Sequence, residues 1–409
     1  MNVLSEFKEG ASIAFDAIRA HKLRSVLTTL GIVIGVLTVT LMGTAIEGLN
    51  RAFRESVSVL GADVLHVDRF SWFSDNRNSW MREQNRPVIT YAQIRQLAEQ
   101  MTMAQAVAPF TDFRAPISYQ NRNSSQVFVI GTTEQFIVTG GFTLATGRFF
   151  LAEESAGGRP VCVLGSRVAT NLFGIESPLG KSVRLGQGKF EVVGVFAPQG
   201  NFMGQFSLDN QVFIPVRQFI GTFWNNPSFQ IQVRAASPDR LEETREELRG
   251  VLRKIRRLAP GDDDDFSINQ QQTLIETFNR VAGTIAAVGL FITGLSLFVG
   301  AVGIMNVMFV SVAERTREIG VRKAIGARRR TILIQFLIEA VGICVLGGVI
   351  AVGLAWPIIF GLRHFLPATL SITGVSLALG VSVLTGVLAG LLPAWRASRL
   401  DPVDALRSE

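Results

Sequence analysis

The stretch Ala313–Arg330, AERTREIGVRKAIGARRR, decides the fold. It carries seven Lys/Arg (Arg315, Arg317, Arg322, Lys323, Arg328, Arg329, Arg330) against two acids, Glu314 and Glu318. Long apolar runs flank it on both sides. Short loops between membrane helices are enriched in Lys and Arg on the cytoplasmic side, so the loop predicts both a membrane and an orientation. Charge alone does not explain the ordered apolar residues between the cations, Ile319-Gly320-Val321 and Ala324-Ile325-Gly326-Ala327. An apolar strip beside fixed charges suits a short helix docking into a partner's groove.

Outward from the loop, the chain divides by charge. Val281–Ala313 has no charged residue, and a helix of that length is roughly 50 Å long against a hydrocarbon core of about 30 Å. Tilt absorbs part of the excess, and the rest is expected to project as a stalk. Thr331 to about Trp356-Pro357 is the next span, with one acid, Glu339, inside it. Ionisable groups in a membrane are costly and usually paired. Glu339 is expected to meet an inner-loop arginine; a proton path is the alternative. Ile372–Leu392 is the last span, and Ser25–Ile46, preceded by Lys22 and Arg24, is the first.

These spans predict an α-helical membrane protein with four transmembrane helices and a large α+β extracytoplasmic domain between helices 1 and 2. The expected segments are an amphipathic interface helix (1–21), first span (22–48), outer domain (49–280), second span with stalk (281–312), inner loop (313–330), third span (331–357), short outer loop (358–371), fourth span (372–393) and cytoplasmic tail (394–409). The acids near the start and the lack of a small-residue cleavage site argue against a signal peptide. Both termini are expected in the cytoplasm. Mean hydropathy is positive and 48% of the 409 residues are hydrophobic, too apolar for an ordinary soluble protein. The net charge of +7 clusters beside apolar spans, without a basic-aromatic reading motif, so no nucleic-acid partner is expected.

The outer region has strand-like runs at 64–67, 126–130, 161–164, 190–195, 211–214 and 229–233, rich in β-branched and aromatic residues. Thr90 with Gln93 reads as a capping box. Ser237-Pro238 opens a second helix in which Leu241, Thr244, Leu248, Val251, Ile255 and Leu258 recur at seven-residue spacings. Gly186-Gln187-Gly188-Lys189 precedes a strand and reads as a hairpin turn, not a phosphate loop. Asp262–Asp265 lacks the spacing of a calcium loop and reads as a solvated turn. Phe70, Trp72, Phe73 and Trp80 form either a rim that meets a partner or ordinary loop packing. The three histidines show no metal-ligand spacing, and no convergent nucleophile, base or metal set marks an enzyme. Cys162 and Cys344 lie in different regions, so no mutual disulfide is expected.

Gly31 and Gly35 form G-x-x-x-G on the first span, continued by Gly43. Gly289, Gly294, Gly300 and Gly303 lie on the second. Small residues let membrane helices approach closely, so Gly31, Gly35, Gly43, Gly289, Gly294 and Gly300 are candidates for a homodimer seam.

Three segments carry a family resemblance: KLRSVLTTLGIVIGV (22–36), SVAERTREIGVRKAIGARRRTILIQFLIEA (311–340) and LPAWRASRLDPVDALR (392–407). Together they resemble the MacB/FtsX-type permeases of ABC transporters, the type VII or mechanotransmission family. GRFFLAEESAGGRPVCVLGSRVATNLFG (147–174) and PLGKSVRLGQGKFEVVGVF (178–196) look like the MacB-type extracytoplasmic domain, with a porter part and an inserted second subdomain. The resemblance implies a coupling helix seated on an ATPase, formed by Glu314, Arg315, Arg317, Glu318, Ile319, Gly320, Arg322, Lys323, Ala324, Gly326 and Ala327. It implies a second permease copy and, in exporting members, a periplasmic adaptor or membrane-fusion protein. The given sequence has no G-x-x-x-x-G-K-[ST] motif, so a separate ABC ATPase subunit is expected to bind ATP and Mg²⁺, with no cofactor on this chain. Export from a bacterial inner membrane is the expected role. The alternative is an FtsX-like regulator of a cell-wall hydrolase or sensor.

Overall fold

The structure is a computed structural model that describes residues 22–73, 77–202, 206–224, 227–363 and 372–407. The expected amphipathic helix over 1–21 and most of the short outer loop (364–371) lie outside these residues. The described chain forms two compact units, Phe53–Phe278 and the remainder.

Helix α1 (Lys22–Ser58) comes first, followed by β1 (Val64–Asp68), α2 (Arg77–Gln84), α3 (Tyr91–Gln100) and β2 (Ala104–Tyr119). Next come β3 (Arg122–Thr132), α4 (Phe136–Thr139), β4 (Leu144–Gly147), α5 (Ala152–Gly157), β5 (Val161–Leu164) and α6 (Ser166–Phe173). They lead into β6 (Ser182–Leu185), β7 (Gly188–Phe196), β8 (Asn201–Phe202), β9 (Phe206–Ser207), β10 (Gln211–Pro215) and α7 (Val216–Thr222). The unit closes with β11 (Gln230–Ala235), a 3₁₀ turn (Pro238–Arg240), α8 (Leu241–Ile255) and β12 (Ser267–Gln270).

One lobe of this outer unit is a sheet ordered β12-β1-β11-β2, with every neighbour antiparallel. In chain order it reads β1-α3-β2 and β11-α8-β12, the split βαβ pattern of ferredoxin-like folds. Leu65, Val67, Ile231 and Val233 meet Ile94 and Leu97 of α3 and Leu248 and Leu252 of α8. The capping box forms at α3: Gln93 N donates to Thr90 Oγ1 and Thr90 N donates to Gln93 Oε1. In α8 the fully buried residues are Thr244, Leu248 and Leu252. Leu241, Val251, Ile255 and Leu258 pack partly buried against the same core, so the expected stripe is the face that meets the sheet, with Leu252 added to it.

The chain between β2 and β11 builds the second lobe, ordered β3-β10-β5-β7-β4 from the far half of β2, with β6 pairing β2 and β7. Strand β5 is buried on both faces. Cys162 and Leu164 enter one core with Val168 and Phe190, while Val161 and Val163 enter a second, phenylalanine-rich core. There Phe213 lies 5.1 Å from Phe136 and 4.9 Å from Phe196 between ring centroids. Gly186 and Gln187 join β6 to β7, with Leu185 paired to Gly188. Gly186 has φ +57, the left-handed value a two-residue hairpin turn needs at its first central position.

Of the four acids after α8, Asp262 and Asp263 are exposed as a solvated turn requires, whereas the next two are ion-paired. Asp264 pairs with Arg249 at 3.2 Å and with Arg253, and Asp265 is held by Arg256 at 2.6 Å. They tie the end of α8 to the segment leading into β12.

The other unit holds the start of α1 together with α9 (Gln271–Glu314) from Asn279 onward, α10 (Thr316–Ala324), α11 (Arg329–Leu362), α12 (Ile372–Arg399) and α13 (Pro402–Arg407). Among the described residues, four helices are long and apolar enough to cross a membrane: Thr29–Ser58, Gln271–Glu314, Arg329–Gly361 and Gly374–Arg399. Ile32, Val36, Ile304, Met308, Phe336, Ala340, Cys344 and Ala378 pack their common core. All four helices run past the expected ends. Helix α11 continues through Pro357 to Leu362, and α12 through Pro393 to Arg399. A proline inside a helix removes one intrahelical bond, and membrane helices tolerate that loss. Helix α9 begins ten residues before the expected Val281, because Gln271, Glu276 and Arg280 are good helix formers although polar.

Candidate functional site

The basic connection folds into α10, with Arg315 at its N-cap position. Its end is a Schellman motif. Gly326 has φ +101, Ala327 N donates to Arg322 O at 3.0 Å, and Gly326 N donates to Lys323 O at 3.0 Å. Glycine is required there, since an L side chain is strained at that φ. Arg328 then caps α11.

Two faces of α10 differ sharply. On the inner face Ile319 and Gly320 are buried. A Cβ on Gly320 would lie 2.8 Å from Ala405 Cβ of α13. Lys323 Nζ donates to Leu400 O at 2.6 Å, beyond the end of α12. Burial, with Arg329 nearby, holds the Lys323 pKa below its ordinary value, and Asp401 partly offsets this. Arg322 Nη1 donates to Gln335 Oε1 at 2.7 Å and also pairs with Glu318. Ala327 is half-buried against the core shared by the long helices. The outer face exposes Glu314, Arg317, Glu318, Val321, Ala324, Ile325 and Gly326, with Ile325 82% exposed. The expected apolar strip is therefore divided: Ile319 and Gly320 serve the chain's own packing, and Val321 and Ile325 are left open. Arg322 and Lys323 also make contacts within the chain.

Glu339 is 4% exposed, and its Oε2 accepts from Arg315 Nη1 at 3.4 Å. The arginine comes from the residue just before α10, so the pair ties the start of that helix to α11.

The glycines on the first two spans meet within one chain. A Cβ on Gly31 would lie 3.1 Å from Gly300 Cα, one on Gly35 2.7 Å from Leu297 Cδ2, and one on Gly289 1.9 Å from Met42 Sδ. The close approach expected between two copies is, at Gly31, Gly35, Gly289 and Gly300, made between α1 and α9 of the same chain. Gly43 and Gly294 have open space around them.

The outer unit has two shallow clefts. One, of about 360 Å³, is lined by Arg114, Phe128, Arg167, Asn171, Ser207 and Asn210. The other, of about 320 Å³, lies beside α3 and β2 and includes Tyr91, Arg95 and Glu134. Among the described residues no three His, Cys, Asp or Glu side chains are grouped to hold a metal ion. In the Phe70–Trp80 stretch, Trp72 packs 5.2 Å from His66 and its backbone N–H donates to Asn269 Oδ1, while Trp80 is exposed.

Sequence reasoning missed α13, although its signals were present. Asp401 Oδ1 accepts from Val403 N at 2.9 Å, and Pro402 takes the first helical position.

Residues 25–251 match the model of the MacB-like periplasmic core domain, and residues 290–402 match the FtsX-like permease C-terminal model. Two curated relatives are both named macrolide export ATP-binding/permease protein MacB. The one from Rhodopirellula baltica is 34% identical over 97% of this chain and 62% of its own length. The one from Syntrophobacter fumaroxidans is 31% identical over 99% of this chain and 64% of its own. The chain thus spans about three fifths of the length of the curated relatives it matches. The crystal structure of the periplasmic region of MacB from Actinobacillus actinomycetemcomitans aligns with a TM-score of 0.45 at 19% identity, covering 55% of this chain and 95% of that one. With the core-domain model covering more than half of its length and the permease model most of the rest, this chain belongs to the MacB/FtsX family of ABC transporter permeases.

Proposed function

We propose that this chain is the permease part of an ABC exporter whose ATP hydrolysis occurs on a separate ATP-binding subunit. The subunit seats on α10, α9 carries its movement outward, and the outer unit changes conformation to move a substrate away from the membrane. Both termini and α10 lie in the cytoplasm in this reading, and two copies assemble around two ATP-binding subunits. The chain's own role is mechanical, not catalytic.

The observation that carries the reading is the division of α10. One face is fixed by Ile319, Gly320, Arg322 and Lys323, and the other presents Val321 and Ile325 among charges. An element held rigidly on one side and apolar on the other transmits a push, whereas a plain topology signal needs neither property. The continuity of α9 over 44 residues supports a stiff route outward. Leu290, Phe291 and Phe298 are exposed along it, as expected of side chains solvated by acyl tails.

The test is reconstitution with the ATP-binding subunit. Ile325→Asp and Arg317→Glu are expected to lower association and permease-stimulated ATPase activity by about tenfold or more, as for a central interface residue. Wild-type association and stimulation in both variants would reject the docking role.

A further inference from the structure

We infer that the cleft between Arg114 and Arg167, in the second lobe of the outer unit, binds a phosphate group carried by a larger molecule. One wall is the β2–β3 hairpin, where Arg114 and Phe128 sit directly opposite each other. The guanidinium lies over the ring, 4.5 Å from its centroid, which holds the long side chain in place. The other wall is α6. Gly165 lets the start of α6 pack on the turn before β10, since a Cβ there would lie 2.4 Å from Asp209 O. Arg167 N donates to that same carbonyl at 3.2 Å and Val168 N at 3.4 Å, so these amides are engaged within the chain. What α6 offers the cleft is side chains: Arg167 and, one turn later on the same face, Asn171. Asn210 joins the two walls. Its carbonyl accepts from Phe128 N at 3.1 Å and its Nδ2 donates to Gln126 O at 3.0 Å.

The charge of the cleft is one-sided. No Asp or Glu lines it, and among the described residues neither guanidinium has a carboxylate within ion-pair distance. Asp209 directs its carboxylate to Gln199 N at 2.7 Å and Gly200 N at 3.0 Å. Asp112, two residues before Arg114, feels its charge without pairing with it. By contrast, Arg148, Arg234 and Arg256 of the same unit each meet a carboxylate within 2.8 Å. Like charges in one cleft repel, and an anion between them turns that repulsion into attraction. A carboxylate is satisfied by a single guanidinium fork. A phosphate has oxygens on several sides, which suits two forks from different walls with the Asn171 and Asn210 amides and the Ser207 hydroxyl around them. At about 30 Å³ for a water-sized group, a five-atom phosphate fills less than half of the roughly 360 Å³. The remainder, beside Phe128, takes the body that carries it. The site does not depend on the docking role of α10.

The experiment titrates glycerol 3-phosphate into the full chain in phosphatidylcholine nanodiscs, at constant ionic strength, and reads binding by calorimetry. Saturable binding is expected. Arg114→Gln and Arg167→Gln are each expected to weaken it about tenfold, while Arg184→Gln, at an exposed arginine of β6 outside the cleft, leaves it unchanged. Both cleft arginines are exposed, so neither substitution opens a core, and Arg167→Gln leaves the stack of Arg114 on Phe128 in place. Phosphatidic acid added to the nanodiscs separates two sources of the group. If it raises the apparent Kd for glycerol 3-phosphate where oleic acid, an anion without phosphate, does not, the site takes a lipid headgroup. If the Kd is unchanged, the site takes a soluble phosphate ester. Both results support the inference. Absence of saturable binding overturns it, as does binding that Arg114→Gln and Arg167→Gln leave intact. Equal weakening by all three variants would reduce the effect to the general charge of the surface, and tighter binding of succinate would make the cleft a carboxylate site; either result also overturns the inference.

Discussion

His66 shows what burial does to one titratable group in the outer unit. It lies on β1 between Gln232 and Asn269, both neutral, with Trp72 against it. Its Nε2 lies 3.0 Å from the Leu60 carbonyl oxygen, which only accepts, so the ring proton sits on Nε2. Burial pushes the pKa below the ordinary value of 6.5, and the bond to Leu60 offsets this in part. The unfolded chain therefore binds the proton more tightly than the folded one. The neutral histidine's contribution to stability is fully present above pH 6.5 and is lost as pH falls through the lower folded value. Urea midpoints of the detergent-solubilised chain are expected to fall between neutral and mildly acidic pH, and His66→Gln to flatten that fall. An unchanged slope in the variant would show that the titration resides elsewhere; Asp68 and Asp112 are not the source, because burial raises their pKa values and makes stability rise as pH falls.

At the scale of elements, the crossing of α1 and α9 depends on hydrogen atoms where other residues have Cβ. A Cβ on Gly300 would lie 3.2 Å from backbone atoms of Gly31 and Ile32, which cannot rotate away. Gly300→Leu is expected to cost about 1–3 kcal/mol through overpacking. Gly294→Ala, with nothing within 4 Å, is expected to leave thermal unfolding in detergent unchanged. Equal melting temperatures for Gly300→Leu and wild type would show that the crossing yields easily. These glycines also mark a limit of reading by pattern, because a small-residue face looks the same whether its neighbour is the same chain or a copy. The expected strands all correspond to observed ones, since β-branched runs between turn residues are a local signal. Strand β2 was not legible, although it joins both lobes. Pro109 and Pro116 interrupt its pattern, and the structure accommodates Pro116 at a register shift between Ala115 and Ile117. Within α10, spacing alone did not separate Ile319, which packs inward, from Ile325, which does not. That distinction depends on α11 and on the distant end of α12, whose Ile332, Phe336, Ala394 and Ala397 share the core with Ile319.

For the molecule as a whole, the central expectation concerns α9. Replacing Ala286 and Ala287 by Pro and Gly breaks its hydrogen bonding at a cost of about 3 kcal/mol or more. Association with the ATP-binding subunit is expected to persist, because α10 is untouched. ATP-dependent changes in hydrogen exchange in the outer unit are expected to disappear. If those changes survive the break, force does not travel through α9, and α1 becomes the route to test.

The pairing of β1 with β12 has a mechanical meaning. The strand that follows α1 and the strand that precedes α9 are ladder partners, with Leu65 opposite Gln270 and Asp68 opposite Ser267. Entry and exit thus lie at one end of a short antiparallel ribbon. A load that drew the two attachment points sideways apart would unzip that ribbon one rung at a time, beginning at Leu65 and Gln270. A load applied to both together meets every rung at once. The lobe is therefore yoked: its β1–β12 ribbon holds best when the two attachment points move in step.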